Sequence, residues 1–364
     1  MTSINSDCKY FRGDIPCKPH KTHGYHCDSC PEYKKISKKI LIIKLGAIGD
    51  VIRTTPLLRK LKKEHPDSMI VWLTYFPQVL SNKFVDRKLA VNIETTELIK
   101  NMHFDHAINL DKDPLAISLM KAVNATQKNG FTVDEFGHCK PYPFEAEIHK
   151  WITGLFDDHN KLNTKHYVQE IFQIAGYIFQ DEEYILEDTI ENIQWDLNYT
   201  KPIVGLNTGC GNRWRSRLWP EKYWITLAMQ LLEKGYEVLL LGGPNEHEKN
   251  QRIAQESKAK YFGHFDLQTF INEVNQVDIV VTAVTMATHI ALGLNKQLVL
   301  FNNIFNKNEF YLYNKGSILE PEIECECYFD DKCPNECMNY LYPETVLKTI
   351  EKHKDLLNSG KQLT

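Results

Sequence analysis

Residues 39–63 read KILIIKLGAIGDVIRTTPLLRKLKK, and this stretch decides the fold. An apolar run at 40–44 ends in Leu45-Gly46-Ala47-Ile48-Gly49-Asp50, and a helical pattern follows at once. The run does not alternate in polarity, which suits a parallel strand buried on both faces. Over 50–65, Leu57, Leu58 and Leu61 fall on one side and Lys60, Lys62 and Lys63 on the other, predicting one amphipathic helix. Strand, glycine turn and helix in this order open a parallel α/β unit. Gly46 and Gly49 permit a tight turn and leave backbone N–H groups at a helix start, suited to a polar or anionic ligand. The spacing is neither G-x-G-x-x-G nor a Walker A loop. Asp50 has two readings: a helix N-cap, or a cleft carboxylate that serves as a general base.

The same alternation continues along the chain. Strands are predicted at 69–74, 106–110, 202–207, 237–241, 278–282 and 297–301. A helix is predicted from Pro220 to its stop at Gly235, and others at 164–179 and 343–357. The pattern restarts near Lys201, after a polar stretch at 187–199. The expected division is a Cys-rich appendage at 1–36, two Rossmann-like halves at 37–196 and 197–346, and a C-terminal helix and tail at 343–364. Such α/β halves place ligands at the carboxyl ends of their strands, facing a central cleft.

Composition narrows the function. The chain has 364 residues, with 43 Lys+Arg against 47 Asp+Glu and a net charge of -4. That balance argues against a dedicated nucleic-acid binder, which needs a basic excess to neutralise phosphates. With 43% apolar and 25% charged residues the chain reads as globular rather than disordered. No apolar run approaches the ~18 residues of a membrane span. The opening MTSINSDCKYFRGD lacks the basic and apolar regions of a secretory signal, so a cytoplasmic location is expected. Basic and aromatic residues at 34–39 and 75–76 suit either a peripheral contact with the inner membrane face or a plain solvated surface.

Ten cysteines fall mainly into two terminal sets. In a chain of this size and location they read as reduced thiols or metal ligands rather than disulfides. Cys8, Cys17, Cys27 and Cys30, near His20, His23 and His26, have spacing suited to zinc or an iron–sulfur centre. Cys325, Cys327, Cys333 and Cys337 form a second candidate set.

Three later segments carry chemistry, each just after a predicted strand. In NTGCGNRWRSRLWPEKYW, residues 207–224, Thr208, Gly209 and Gly211 make a turn crowded by Arg213, Arg215 and Arg217. This reads as a diphosphate site or a solvated basic loop. In LLLGGPNEHEKN, residues 239–250, Glu246 suits ribose hydroxyls or a first-turn acid. In DIVVTAVTMATHIALGLNKQLVLF, residues 278–301, the amides of Thr285, Met286 and Ala287 open a helix that carries His289. That histidine is either packed or functional.

Taken in order, these pieces resemble glycosyltransferase family 9, the bacterial lipopolysaccharide heptosyltransferases. The resemblance rests on Gly49-Asp50-Val51, Thr55-Pro56, Arg217 before Trp219-Pro220, and Gly242-Gly243-Pro244 with Glu246. Cys333-Pro334, Cys337-Met338 and Pro343-Glu344-Thr345-Val346 continue it. It implies a GT-B fold and an inverting transfer of heptose from ADP-heptose to a hydroxyl of a glycan or glycolipid, the lipopolysaccharide core by default. No cofactor takes part in that chemistry. Asp50 then matches the proposed base, with Gly46 and Gly49 in the acceptor-side loop. Arg217 stands where the family usually has lysine, Glu246 matches the ribose acid, and Thr285 and His289 fall in an Asp-Thr-x-x-x-His signature. Val284 replaces the aspartate of that signature. A non-catalytic sugar-nucleotide-binding protein and a sugar-nucleotide epimerase of the same fold are the alternatives.

Overall fold

The computed structural model describes residues 3–142, 144–186, 193–211 and 213–359. Residues 187–192 of the polar stretch expected at the domain boundary, Asn212 of the arginine loop, and the tail at 360–364 lie outside the described residues. The chain divides into two compact units. The first comprises Met1–Ala47, Thr54–Trp151 and Glu170–Glu182; the second comprises Ile48–Arg53, Ile152–Gln169 and Glu183–Thr364.

The first unit is built on β1 (Lys39–Ile43), β2 (Met69–Thr74), β3 (Arg87–Ala90), β4 (His103–Asn109), β5 (Asn124–Val133) and β6 (Cys139–Pro141). Their order is β3-β2-β1-β4-β5-β6, parallel except for β6. Central β1 sets Ile42 against Trp72 on one side and Ile108 on the other. Ile40, Leu41, Ile42 and Ile43 are completely buried, as a strand covered on both faces requires.

The second unit holds β7 (Ile203–Asn207), β8 (Glu237–Leu241), β9 (Ile279–Ala283), β10 (Gln297–Phe301) and β11 (Gly316–Leu319). All are parallel, in the order β11-β10-β9-β7-β8. Helix Glu221–Glu233 buries Trp224, Leu227, Ala228 and Leu231 in one cluster with Val204, Leu206, Val238 and Leu240. Its 3.6-residue spacing explains why that face turns inward. Trp219 closes the cluster, edge-on to Trp224 at 4.7 Å, with its indole N–H donating to the Leu341 carbonyl at 2.7 Å.

Two expectations change. The single helix expected at 50–65 is two helices, Ile48–Ile52 and Pro56–Glu64. Pro56 can start a helix but cannot continue one, because its ring blocks the preceding turn. The helix also begins at Ile48, so Asp50 lies inside its first turn rather than capping it. The compact units are discontinuous in sequence, whereas the expected division was linear at 196/197. Segment Ile48–Arg53 counts with the second unit because Gly49 rests against helix Met286–Gly293.

Candidate functional site

Strands β9, β7 and β8 are neighbours, so their carboxyl ends lie side by side, the usual position for a ligand in such a sheet. The loops beyond them enclose a cavity of about 440 Å³, lined among others by Ile48, Asn207, Gly209, Arg217, Glu246, Phe270, Thr285, Met286 and Ala287. Small-molecule sites span roughly 300–1,000 Å³, so a nucleotide-sized ligand is in range.

Each wall follows from local chemistry. Glycine at 209 leaves room for the Glu246 carboxyl group, since a Cβ there would lie 2.4 Å from Cδ of Glu246. The Glu246 carboxylate itself accepts from the Gly243 N–H at 3.0 Å, which fixes its direction. Thr285 caps helix Met286–Gly293, its hydroxyl accepting from Ala287 N–H at 3.2 Å. Asn207 at the end of β7 donates to Thr282 Oγ1 at 2.8 Å and to Thr285 Oγ1 at 3.3 Å, tying two strand ends together. Thr208 sits behind the lining, its hydroxyl donating to Asn250 Oδ1 at 2.6 Å.

The three arginines separate. Arg213 and Arg215 are exposed, and Arg213 lies over the Trp214 ring at 4.7 Å. Only Arg217 is buried and lines the cavity. It donates through Nη2 to the Cys210 carbonyl at 2.6 Å, through Nε to Trp214 at 3.3 Å, and through Nη1 to the Val284 carbonyl. Among the described residues no carboxylate pairs with it. Burial pulls its pKa down to about 10, with partial opposition from Cys210, so it remains a cation at neutral pH. A buried cation held only by carbonyls is costly, and an anion in the cavity would offset that cost. Residue 284 takes part through its main chain, which valine supplies as well as aspartate.

Asp50 and His289 belong to an adjoining cluster. Asp50 Oδ1 meets Arg53 Nη2 at 2.8 Å, and the Arg53 guanidinium stacks over Tyr167 at 3.4 Å. Burial opposes the Arg53 charge, but Asp50 and its neighbours outweigh it and raise its pKa. His289 is buried, with Nδ1 3.4 Å from the Tyr184 hydroxyl, and does not line the cavity. Burial first, then the Arg53 charge, push its pKa down to about 3, so it is neutral. Gly49 lies so close to this ring that a Cβ would be 2.7 Å from His289 Cδ2. Gly46 is placed otherwise. It belongs to the first unit, where Leu45 and Gly46 N–H groups donate to Asp111 at 2.8 and 3.4 Å. Those amides are therefore occupied rather than open to a ligand.

Sequence reasoning passed over Asn207, Phe265, Leu267 and Phe270, all of which line the cavity. A signal for the last two existed: Asp266 caps helix Leu267–Asn275, whose Phe270, Ile271 and Val274 are buried at helical spacing.

The cysteines also divide. Cys325 Sγ lies 3.8 Å from Cys333 Sγ and 3.2 Å from Cys337 Sγ. The three sulfurs all fall within 4.8 Å of one another. Burial, together with the neighbouring thiols, pushes Cys325 and Cys327 up to about 12. Cys8, Cys17, Cys27 and Cys30 instead stand around a separate recess in the first unit.

The family model for glycosyltransferase family 9 (heptosyltransferase) matches residues 155–338, half of the chain. The chain belongs to glycosyltransferase family 9. The matched residues include every cavity-lining position except Ile48, and the C-terminal cysteines; they do not include Asp50 or the N-terminal cysteines. This family 9 chain is 27% identical over 113 residues to lipopolysaccharide heptosyltransferase 2 of Escherichia coli K12, a match spanning 29% of this chain and only 32% of that protein. In three dimensions it resembles the E. coli ADP-heptose lipopolysaccharide heptosyltransferase II, with a TM-score of 0.62 at 18% identity over 88% of this chain and 99% of the other. It also resembles TibC of enterotoxigenic E. coli, an iron-containing dodecameric glycosyltransferase, with a TM-score of 0.56 at 12% identity over 89% and 77% of the two chains. TibC has been solved with ADP-D-β-D-heptose. These likenesses establish the GT-B fold, two parallel α/β units.

Proposed function

We propose that the chain is an inverting glycosyltransferase that moves heptose from ADP-heptose to a hydroxyl of a glycan or glycolipid acceptor. The observation that carries this reading is Arg217, a buried cation with carbonyl partners only, at the wall of a nucleotide-sized cavity. In this reading the diphosphate lies between Arg217 and the helix start at Thr285, Met286 and Ala287, where charge and backbone amides both favour an anion. Glu246 takes ribose hydroxyls, and Phe265, Leu267 and Phe270 offer an apolar wall to the base. The likeness to E. coli ADP-heptose lipopolysaccharide heptosyltransferase II and to TibC, which binds ADP-D-β-D-heptose, supports ADP-heptose as the donor.

The chemistry balances without a cofactor. The acceptor oxygen attacks the anomeric carbon, the bond from that carbon to the diphosphate oxygen breaks, and ADP leaves with the electron pair. The acceptor proton passes to Asp50. Arg217 offsets the charge developing on the leaving oxygen. Asp50 is one-third exposed and oriented by Arg53, which suits a base that accepts its proton late. Asp50→Asn should lower transfer by roughly 100-fold or more, the scale of a general base, while ADP affinity changes little. ADP release, measured with and without acceptor, checks this. Near-normal transfer by the variant would remove Asp50 from the mechanism.

Cys325, Cys327, Cys333 and Cys337 would hold one structural zinc or iron ion. A tetrahedral ion about 2.3 Å from each thiolate needs closely grouped sulfurs, and those of Cys325, Cys333 and Cys337 lie within 4.8 Å of one another, with Cys327 the nearby candidate for the fourth place. The iron of TibC supports the same reading. The free cysteines suit a reducing cytoplasm. Among the described residues no helix is long and apolar enough to cross a membrane.

A further inference from the structure

The loop that carries the C-terminal cysteines is tied to the turn that carries Arg217. Residues 320–336 run irregularly between β11 and the short helical turn Cys337–Tyr340. Irregular loops longer than about 12–15 residues are uncommon in compact units and usually serve a function. Most residues of this loop are exposed or half-buried, so apolar packing gives it little hold. Polar contacts to Ser216, the middle residue of the helical turn Arg215–Arg217, supply much of the rest. All three hydrogen-bonding groups of Ser216 take part. Its N–H donates to the Asp331 carbonyl at 3.1 Å, and its hydroxyl donates to the Asp330 carbonyl at 2.6 Å. Its carbonyl accepts from Asn303 Nδ2 at 2.9 Å, and the same amide donates to Cys337 Sγ at 3.2 Å.

Aromatic contacts run beside these bonds. The Phe329 ring of the loop meets Trp214 at 6.1 Å and Phe305 at 5.0 Å, and the Arg217 guanidinium lies 5.3 Å from the Phe305 ring. Arg217 lines the cavity, and one of the carbonyls that direct it belongs to Trp214, immediately before the turn. A shift of the turn therefore moves both the guanidinium and one of its anchors. Arginine grips a phosphate through a rigid fork of N–H groups, and that grip is lost when the fork is misdirected.

We propose, on the reading of the cavity as the donor site, that Ser216 and Asn303 are positioning residues that couple the cysteine loop to Arg217. The hold on a nucleoside diphosphate then depends on how firmly that loop is kept in place. Ser216 fixes the turn against residues 330 and 331, and Asn303 bridges the turn to Cys337. A thiolate at Cys337 accepts the Asn303 N–H more strongly than a thiol does, so ligation of the cysteines tightens the same bridge. Neither residue lines the cavity, and both act through Arg217.

The test is titration of the full chain with ADP and, separately, with adenosine, which lacks the diphosphate. Ser216→Ala keeps every cysteine and should bind ADP about 3–10-fold more weakly, the scale of one hydrogen bond, with adenosine affinity unchanged. Ser216→Thr keeps the hydroxyl and should restore ADP affinity. Asn303→Asp sets a carboxylate against a carbonyl and a sulfur, and should weaken ADP by about 10-fold or more. Cys333→Ser, which loosens the loop itself, should act in the same direction; Ser216→Ala decides the matter if this variant does not fold. In an Arg217→Ala background Ser216→Ala and Asn303→Asp should lose their effect, because the group they position is gone. A merely structural role would weaken ADP and adenosine alike and would persist without Arg217. Wild-type ADP affinity in both Ser216→Ala and Asn303→Asp, or effects that persist in the Arg217→Ala background, would overturn the proposal. If Arg217→Ala weakens ADP while those two variants do not, the donor reading stands and the coupling alone falls. If Arg217→Ala binds ADP as wild type does, both fall.

Discussion

Arg217 and Glu273 are both buried ionisable side chains without a counter-charge, and they meet that cost in opposite ways. Arg217 stays charged because three carbonyls take its N–H groups and the cavity leaves room for an anion. Glu273, fully buried on helix Leu267–Asn275, has no hydrogen-bond partner for either carboxyl oxygen among the described residues. Burial pushes its pKa up to about 8, so it is folded in neutral form. The unfolded chain ionises this group above about 4.3, so its contribution to stability falls as pH rises from there towards 8. Glu273→Gln removes that ionisation. The variant should be more stable than wild type by on the order of 1–2 kcal/mol at pH 8, with the gain shrinking towards pH 5. Denaturant unfolding at both pH values checks the sign.

At the scale of elements, what the sequence made legible was decided by burial. Strands β1, β2, β4, β7, β8, β9 and β10 stand within a few residues of their expected positions, because apolar side chains cover both faces. The unforeseen strands lie towards sheet edges or begin in polar sequence. Arg87–Ala90 and Gly316–Leu319 are edge strands only partly buried, and Asn124–Val133 opens with polar residues. The site was partly legible for the same reason. Gly209, Arg217, Glu246 and Thr285 follow strand ends, whereas Phe265 reaches the cavity by tertiary packing alone. Crowding in sequence could not tell Arg217 from Arg213, since direction depends on the buried carbonyls that receive it. The short helix Ile48–Ile52 gives the sharpest test of element placement. Gly49→Ala must push it off His289, because the Met286 backbone leaves only 3.5 Å on the other approach. Overpacking of this kind costs about 1–3 kcal/mol. Displacing Asp50 should also lower turnover towards ~100-fold, and ADP affinity should fall by less, through Ile48 of the same helix at the cavity wall. Steady-state rates beside calorimetric ADP titration separate the two effects.

Across the whole molecule, buried neutral histidines set the acid limit. Burial pushes His106 and His353 down to about 4, and His289 to about 3. In the unfolded chain each takes a proton near pH 6.5, while the folded protein refuses it until about pH 4 or below. The unfolded state therefore binds more protons across this window, and stability falls as pH drops through it. Three such groups outweigh the opposite slope of Glu273. The melting temperature should decline from pH 7 to pH 5, and His353→Gln should flatten that decline; scanning calorimetry over this range checks both. The reading of the chain as a nucleotide-sugar transferase depends, above all, on where the nucleotide lies. The direct measurement is a crystal structure with ADP. The diphosphate should lie within hydrogen-bond distance of Arg217 and the amides at Met286 and Ala287, with the ribose on Glu246. Nucleotide bound only at the Leu45–Gly46 loop, with the cavity beyond β7, β8 and β9 empty, would contradict it.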